Sequence, residues 1–476
     1  MKVHKMLTKD MDMTQGALVG KITAVALPLA LSGILQLVFN AADLVVIGKF
    51  SETGTVSLAA VSSNTALIGL IINVAMGLSL GANVALGQAI GRRDREGAHR
   101  ALHTAMALSI VCGLVTAVVG VSCARLFLEW MRTDAAVIDK ATLYLRIYFA
   151  GAPAYIVYNF GVSLLRAKGD TTRPLVYLAI AGVLNVGLNM VLVIYAHMDV
   201  AGVALATVVS QYLSCALTVF ALLREKGVCR LVLKDIRFHR QELVLIVKVG
   251  LPSGILSSFF SIANVLIQSQ VNTYGAQLIA GSATANSLEG FIIVSMNSVG
   301  NASVTFAGQN FGARRFERIQ RSVGICVGLE FIVCIFGATL FLSFGRFFLG
   351  LYTNDAMVVA YAYNRLWVTL PLYFVCGTAE VFAGGMRGMG HAVKPMMSNL
   401  FCICVFRVMW VNTICRVYHI PELLYLSWPL SWMMNIVSSG VLYGLTLAKE
   451  RRREYAVEPP DEEIFGDVDA AFEQPI

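Results

Sequence analysis

Three polar residues in an apolar stretch near the N-terminus have the types and spacing to handle a cation. Gln36, Asn40 and Asp43 stand at offsets 0, 4 and 7, so on a helix they form one polar stripe. Asn185 and Asn189 are four residues apart and share a helix face in the same way. A carboxylate among amides can take up a proton or, together with amide carbonyls, hold sodium, because hard cations prefer oxygen ligands. Two roles are open for Asp43: coupling to a moving ion, or a permanent hydrogen-bonded tie between helices. A second polar set comprises Glu289, Glu380 and Arg407, with Glu330 expected nearer the inner end of its helix. An isolated arginine within an apolar run is costly, so Arg407 is expected to pair with Glu289 or Glu380. That cluster reads either as an ion pair that fixes packing or as a second proton or substrate site.

The elements that must position these residues are membrane spans. Apolar residues make up 57% of the 476-residue chain and charged ones 14%, against roughly 25% charged in soluble domains. This balance excludes a soluble enzyme and a disordered scaffold, and no nucleic-acid partner is expected. Runs of about 20 apolar residues match the bilayer core. They predict twelve spans, at about 22–48, 57–88, 101–123, 142–165, 174–196, 201–223, 243–271, 278–309, 322–344, 357–384, 395–417 and 423–447. A carboxylate in such a span costs about 2.5–3.5 kcal/mol on insertion scales and so points to function. Most of the ten cysteines lie in or beside the spans and read as small hydrophobes. The seven histidines are expected to offer no ligand-spaced pair and no metal site.

With the N-terminus inside, 28 of the 37 basic residues fall on the cytoplasmic side, so both termini are expected there. Parallel duplication is the second organising feature. A shift of 221 residues aligns Gly87-Gln88-Ala89-Ile90-Gly91 with Gly308-Gln309-Asn310-Phe311-Gly312. It also pairs Asp134 with Asp355, Arg166 with Arg387 and Pro174 with Pro395. Each repeat holds six spans, so the two halves run parallel, as in secondary transporters whose substrate site lies between them. The expected organisation is a cytoplasmic segment over 1–21, an N-lobe over 22–223, a linker over 224–242, a C-lobe over 243–447 and a disordered acidic tail over 448–476.

These blocks resemble the multidrug and toxic compound extrusion (MATE) family. The marks are Leu27-Pro28, Phe39-Asn40-Ala41-Ala42-Asp43, Gly87-Gln88-x-x-Gly91, Leu164-Leu165-Arg166-Ala167-Lys168-Gly169-Asp170 with Arg173-Pro174, and Leu184-Asn185-x-x-Leu188-Asn189. The resemblance implies an all-α, twelve-helix, V-shaped transporter of two six-helix lobes, not an enzyme. It implies antiport of a proton or sodium against amphipathic or cationic compounds across a bacterial-type cytoplasmic membrane. No cofactor beyond the coupling ion is implied, and no metal beyond sodium at Asp43. The expected partners are small-molecule substrates and membrane lipid, and a monomer is expected. The alternative is a flippase for lipid or lipid-linked oligosaccharide in the same broad superfamily, to be distinguished by a large cationic cavity or extra helices.

In the DinF-like branch of the family, the positions matching Asp43 and Asn185 belong to the N-lobe cation site, and the one matching Asn189 is often Asp. The NorM-like branch places a Glu after a Phe-Phe pair, where this chain reads Phe259-Phe260-Ser261. The resemblance therefore points to the N-lobe-acid type. Asn185 and Asn189 correspond in the repeat to Phe406 and Trp410. Those two aromatics are expected either to form a substrate wall by stacking and cation–π contact or to pack against helices and lipid.

Overall fold

The computed structural model describes residues 11–50, 54–418 and 420–457, and among these the regular structure is entirely helical. The N-lobe contains α1 (Leu18–Phe50), α2 (Gly54–Gly91), α3 (Arg95–Trp130), α4 (Ala135–Ala150), α5 (Ala152–Ala167), α6 (Thr172–Asn189) and α7 (Asp199–Leu223). The C-lobe contains α8 (Arg240–Val271), α9 (Ala276–Gly312), α10 (Phe316–Ser343), α11 (Ala356–Thr369), α12 (Tyr373–Gly388), the mixed α and π span α13 (Val393–Tyr418) and α14 (Pro421–Val457). Eleven helical stretches are long and apolar enough to cross a bilayer, and the bent pair α4–α5 makes a twelfth. Of the tail expected to be disordered over 448–476, residues 448–457 instead continue helix α14; the remainder lies outside the described residues, as do residues 1–10 of the first segment.

Apolar side chains cover the outside of these helices as well as the inside. Val118, Val183, Phe336 and Val437 are each more than 60% exposed, the distribution expected where lipid replaces water as solvent. Proline shapes the long helices. Gly151 and Pro153 mark the 46° bend between α4 and α5. Pro371 sits in the 3-10 turn Leu370–Leu372 that separates α11 from α12. Pro28 lies within α1 and lacks the N–H that would bond Ala24; the Thr171 hydroxyl donates to the Ala24 carbonyl at 3.5 Å instead.

Several repeat-matched residues recur because each lobe needs the same joint. Asp134 and Asp355 both cap helix N-termini, accepting from the Ala136 and Met357 N–H groups at 2.8 Å. The Gly-Gln-x-x-Gly blocks meet across the pseudo-twofold axis at the basic end of the molecule. A Cβ on Gly91 would overlap the Gln309 carbonyl, and one on Gly312 would overlap the Gln88 carbonyl. From the same helices, Gln88 Nε2 donates to Gly388 O at 2.9 Å and Gln309 Nε2 to Ala167 O at 2.6 Å. Each glutamine thus reaches the last residue of a helix in the opposite lobe, where carbonyls lack an intrahelical partner.

A strap formed by residues 11–16 lies over this crossing. Met13 is fully buried. Its N–H donates to Gln309 Oε1 at 3.2 Å, while Arg318 donates to the Met13, Gln15 and Gly16 carbonyls at 2.7–3.0 Å. Met11 N–H reaches Lys168 O in the other lobe at 3.4 Å. The linker is likewise fastened, with Arg100 bonding Glu242 at 2.7 Å.

Candidate functional site

The expected stripe on α1 meets the asparagine pair on α6. Gly182 of α6 leaves room for the Phe39 ring, which a Cβ there would strike, so the two helices approach closely beside the polar groups. Asn189 Nδ2 donates to Asp43 Oδ1 at 2.5 Å and to Asn185 Oδ1 at 3.3 Å. Gln36 Nε2 donates to Asn40 Oδ1 at 3.1 Å. Asn189 Oδ1 is buried and has no partner. Gln36, Asn40 and Asp43 line both a 90 Å³ pocket inside the N-lobe and a 720 Å³ cavity that extends to Asn297 and Asn301 of the C-lobe. The amide-bearing residues therefore surround one carboxylate, and that carboxylate faces the space between the lobes.

Sequence reasoning missed the tyrosines that complete this wall. Tyr155 and Tyr158 line both N-lobe spaces, and their spacing of three on α5 is the signal that could have found them. It also missed the π-helical turn Met190–Tyr195 that starts right after Asn189. The turn Val411–Cys415 follows Trp410 in the same register of the repeat. Such turns occur frequently at functional positions.

The second polar set is assembled differently from the expectation. Glu289, Glu380 and Arg407 do line one 600 Å³ cavity, but Arg407 pairs with neither acid. Glu289 is held by Arg365, with Nη2–Oε2 at 2.7 Å and Nε–Oε1 at 3.3 Å, and it accepts from Thr369 at 2.8 Å. Arg387 takes Glu380. The physical reason is reach: Arg365 on α11 meets Glu289 on α9 and Arg387 lies two turns along α12 from Glu380, while Arg407 Nε donates to Ser431 Oγ at 2.7 Å. The Arg407 guanidinium lies over the Trp428 and Trp432 rings, 5.6 and 5.8 Å from their centroids. Glu330 is fully buried at the middle of α10 rather than near its inner end. It accepts from the Cys334 thiol at 3.2 Å.

Phe406 and Trp410 fit the packing alternative. Neither is among the residues lining the 600 Å³ cavity, which both lobes enclose. Trp410 Nε1 donates to Leu423 O at 2.9 Å and its ring packs with the cluster of Ile267, Leu424 and Tyr425. A buried indole N–H needs an acceptor, and this one lies toward the far end of the helix, away from the cavity. Trp428, Trp432 and Tyr373 supply the aromatic surface instead. The i, i+4 spacing of the two tryptophans, continued by Asn435, is the legible signal for them.

His99 and His103, four residues apart, come together with Asp235 at the basic end with ligand atoms within 4.8 Å. This corrects the expectation that the histidines offer no ligand spacing. Both ring nitrogens of His103 are nevertheless engaged. Nδ1 donates to His99 O at 2.7 Å and Nε2 accepts from Val232 N–H at 3.0 Å, so the trio works as a clasp between α3 and the linker.

At the same end Glu225 bonds Lys168 at 2.8 Å and Arg173 at 2.9 Å, and Arg173 also pairs with Asp170. Burial alone would raise the Glu225 carboxyl, but Lys168 and Arg173 outweigh it and hold it below its ordinary value of 4.5.

Comparison with known proteins agrees with this architecture. The MatE family profile matches residues 28–191 and 252–411, one copy per lobe at nearly the offset of the internal repeat. The chain is 27% identical over 383 residues to the probable multidrug resistance protein YoeA of Bacillus subtilis (strain 168), covering 79% of this chain and 82% of that protein. It is 27% identical over 400 residues to the probable multidrug resistance protein YpnP of the same strain, covering 84% and 89%. Its fold superposes with a TM-score of 0.87 on the outward-facing conformation of a multidrug resistance MATE family transporter of the MOP superfamily, at 20% identity over 94% of this chain and 99% of that one. Two profile copies, one on each six-span lobe, make this chain a member of the MatE family, an integral membrane transporter rather than an enzyme.

Proposed function

We propose that the protein exports amphipathic small molecules by antiport against a cation taken up at Asp43. The observation that carries this reading is a carboxylate within the first span, hydrogen-bonded to Asn189 and facing the space between two parallel repeats. The names of the similar Bacillus proteins support multidrug export. The basic face is read as cytoplasmic, and the membrane as the bacterial cytoplasmic one. On that reading the Gly91–Gly312 crossing closes the cytoplasmic side.

The proton is the better candidate for the coupling ion. An N–H donor of Asn189, not an oxygen, stands between Asp43 and Asn185, whereas sodium needs a shell of oxygens. Protonation at Oδ1 would convert that acceptor of Asp43 into a donor, and its bond with Asn189 would then rearrange. Helix α1 also touches the other lobe, where Gly33 meets Val294 of α9, and a shift of α1 against α6 would be felt there. A proton drives the cycle only if it binds the two states unequally, and this bond is where they would differ. The test is Asp43→Asn: export should be lost while the protein still reaches the membrane.

One observation favours the flippase alternative, namely the arginines of the 600 Å³ cavity between the lobes, since a cationic cavity is its distinguishing mark. Twelve spans without additional helices among the described residues favour the exporter.

A further inference from the structure

The cavity between the lobes carries more arginine than acid. Arg166, Arg365, Arg387 and Arg407 all line it, against Glu289 and Glu380. Two of the arginines are paired off with these acids. Arg166 and Arg407 have no carboxylate within 4.0 Å among the described residues. Arg166 Nε is buried without any hydrogen-bond partner. The repeat explains why: Arg166 matches Arg387, but the position matching Glu380 is Asn159, whose amide is turned to Tyr155 O at 2.8 Å. Arg407 is 94% buried by its 6% exposure. Its Nε is committed to Ser431 and its faces lie near Trp428 and Trp432, which leaves the Nη edge for a ligand. Guanidinium stays charged and binds planar or phosphate oxyanions through two parallel bonds.

We infer that this cavity binds a solute bearing an anionic group, carboxylate or phosphate, with Arg407 as the main contact, Arg166 as the second, and Trp428 and Trp432 against the body of the molecule. The inference deepens the export reading and rests on it for the direction of movement. It also narrows the expected substrates away from simple organic cations, which two unpaired arginines would repel. The anionic group can belong to a soluble compound or to a lipid headgroup, and the arms of the experiment separate the two.

The experiment uses the full chain in discs of zwitterionic lipid, with no ion gradient, and two xanthene dyes of similar shape: anionic carboxyfluorescein and cationic rhodamine 123. Binding is read by fluorescence anisotropy. Carboxyfluorescein should bind the more tightly. Arg407→Gln should weaken it roughly ten- to hundredfold, the range for a lost charge-assisted hydrogen bond, and leave rhodamine 123 no weaker. Arg166→Gln, whose side chain holds no partner that the fold would miss, should shift the preference in the same direction. Displacement of the dye on adding phosphatidylglycerol to the discs would assign the anion to a lipid headgroup, and persistence of binding would assign it to a soluble solute. Tighter binding of rhodamine 123, no binding of carboxyfluorescein, or unchanged carboxyfluorescein affinity in both variants overturns the inference. Because no gradient is present, a failure of ion coupling would leave these binding results intact.

Discussion

A methyl group at Gly91 should open the basic end of the molecule. In the closed crossing the added Cβ would overlap the Gln309 carbonyl, so the helices must part by roughly 1 Å, and forced overpacking costs about 1–3 kcal/mol. Parting also strains the Gln88–Gly388 and Gln309–Ala167 bonds, each contributing about 0.5–1.5 kcal/mol. The total, about 2–6 kcal/mol, would lower the ratio of closed to open molecules by about thirtyfold or more. Gly312→Ala should act in the same way through the Gln88 carbonyl. Gly324→Ala is the control, since nothing lies within 4 Å of its added Cβ. Spin labels at Glu96→Cys and Glu317→Cys, repeat-matched sites with exposed side chains on opposite lobes, would report the separation of the lobes at this end. The accessible native cysteines must first be replaced. A distance distribution unchanged by Gly91→Ala and Gly312→Ala would refute the argument that this crossing is the closure.

Other consequences can be checked in the same preparation. Glu289→Gln leaves Arg365 buried and uncompensated, so thermal unfolding in detergent should show a loss of about 3–5 kcal/mol; replacing both partners with apolar residues should restore much of it. If Glu289 instead carries transport, that stabilised pair would fold but not export. Arg318→Ala removes the donor to three strap carbonyls and should make residues 11–16 sensitive to limited proteolysis, with Lys394→Ala as the unaffected control. The folded-state value of Glu225 is lowered, so its contribution is fully present above pH 4.5 and is lost as pH falls through that lower value. Glu225→Gln should therefore flatten the acid limb of the stability profile, and an unchanged limb would remove Glu225 as its source.

Much of the architecture was legible because helices and repeats leave periodic traces. Apolar run length located the twelve spans, with the fourth bent at Gly151–Pro153. Offsets of 4 and 7 brought Gln36, Asn40 and Asp43 to one face, and α6 does meet it. Pairing between helices of the C-lobe was not legible. Arg365, Arg387 and Arg407 look alike in sequence, and only the packing decides that two hold acids while the third lies between tryptophans. Of the two readings open for Phe406 and Trp410, packing against helices fits their neighbours, because matching positions in two diverged repeats need not face the same space. The strap over residues 11–16 was read only as part of a cytoplasmic segment, since most of its bonds are made by backbone carbonyls that carry no sequence signal.

The central claim is that Asp43 couples a proton to export. Everted membrane vesicles loaded through their own respiration, with ethidium and carboxyfluorescein as reporters, test it when the proton and sodium gradients are collapsed separately. If Asp43 couples the proton, transport stops when the proton gradient is removed, persists when the sodium gradient is removed, and is absent in Asp43→Asn at normal membrane abundance. Transport by Asp43→Asn at the unmodified rate would contradict it.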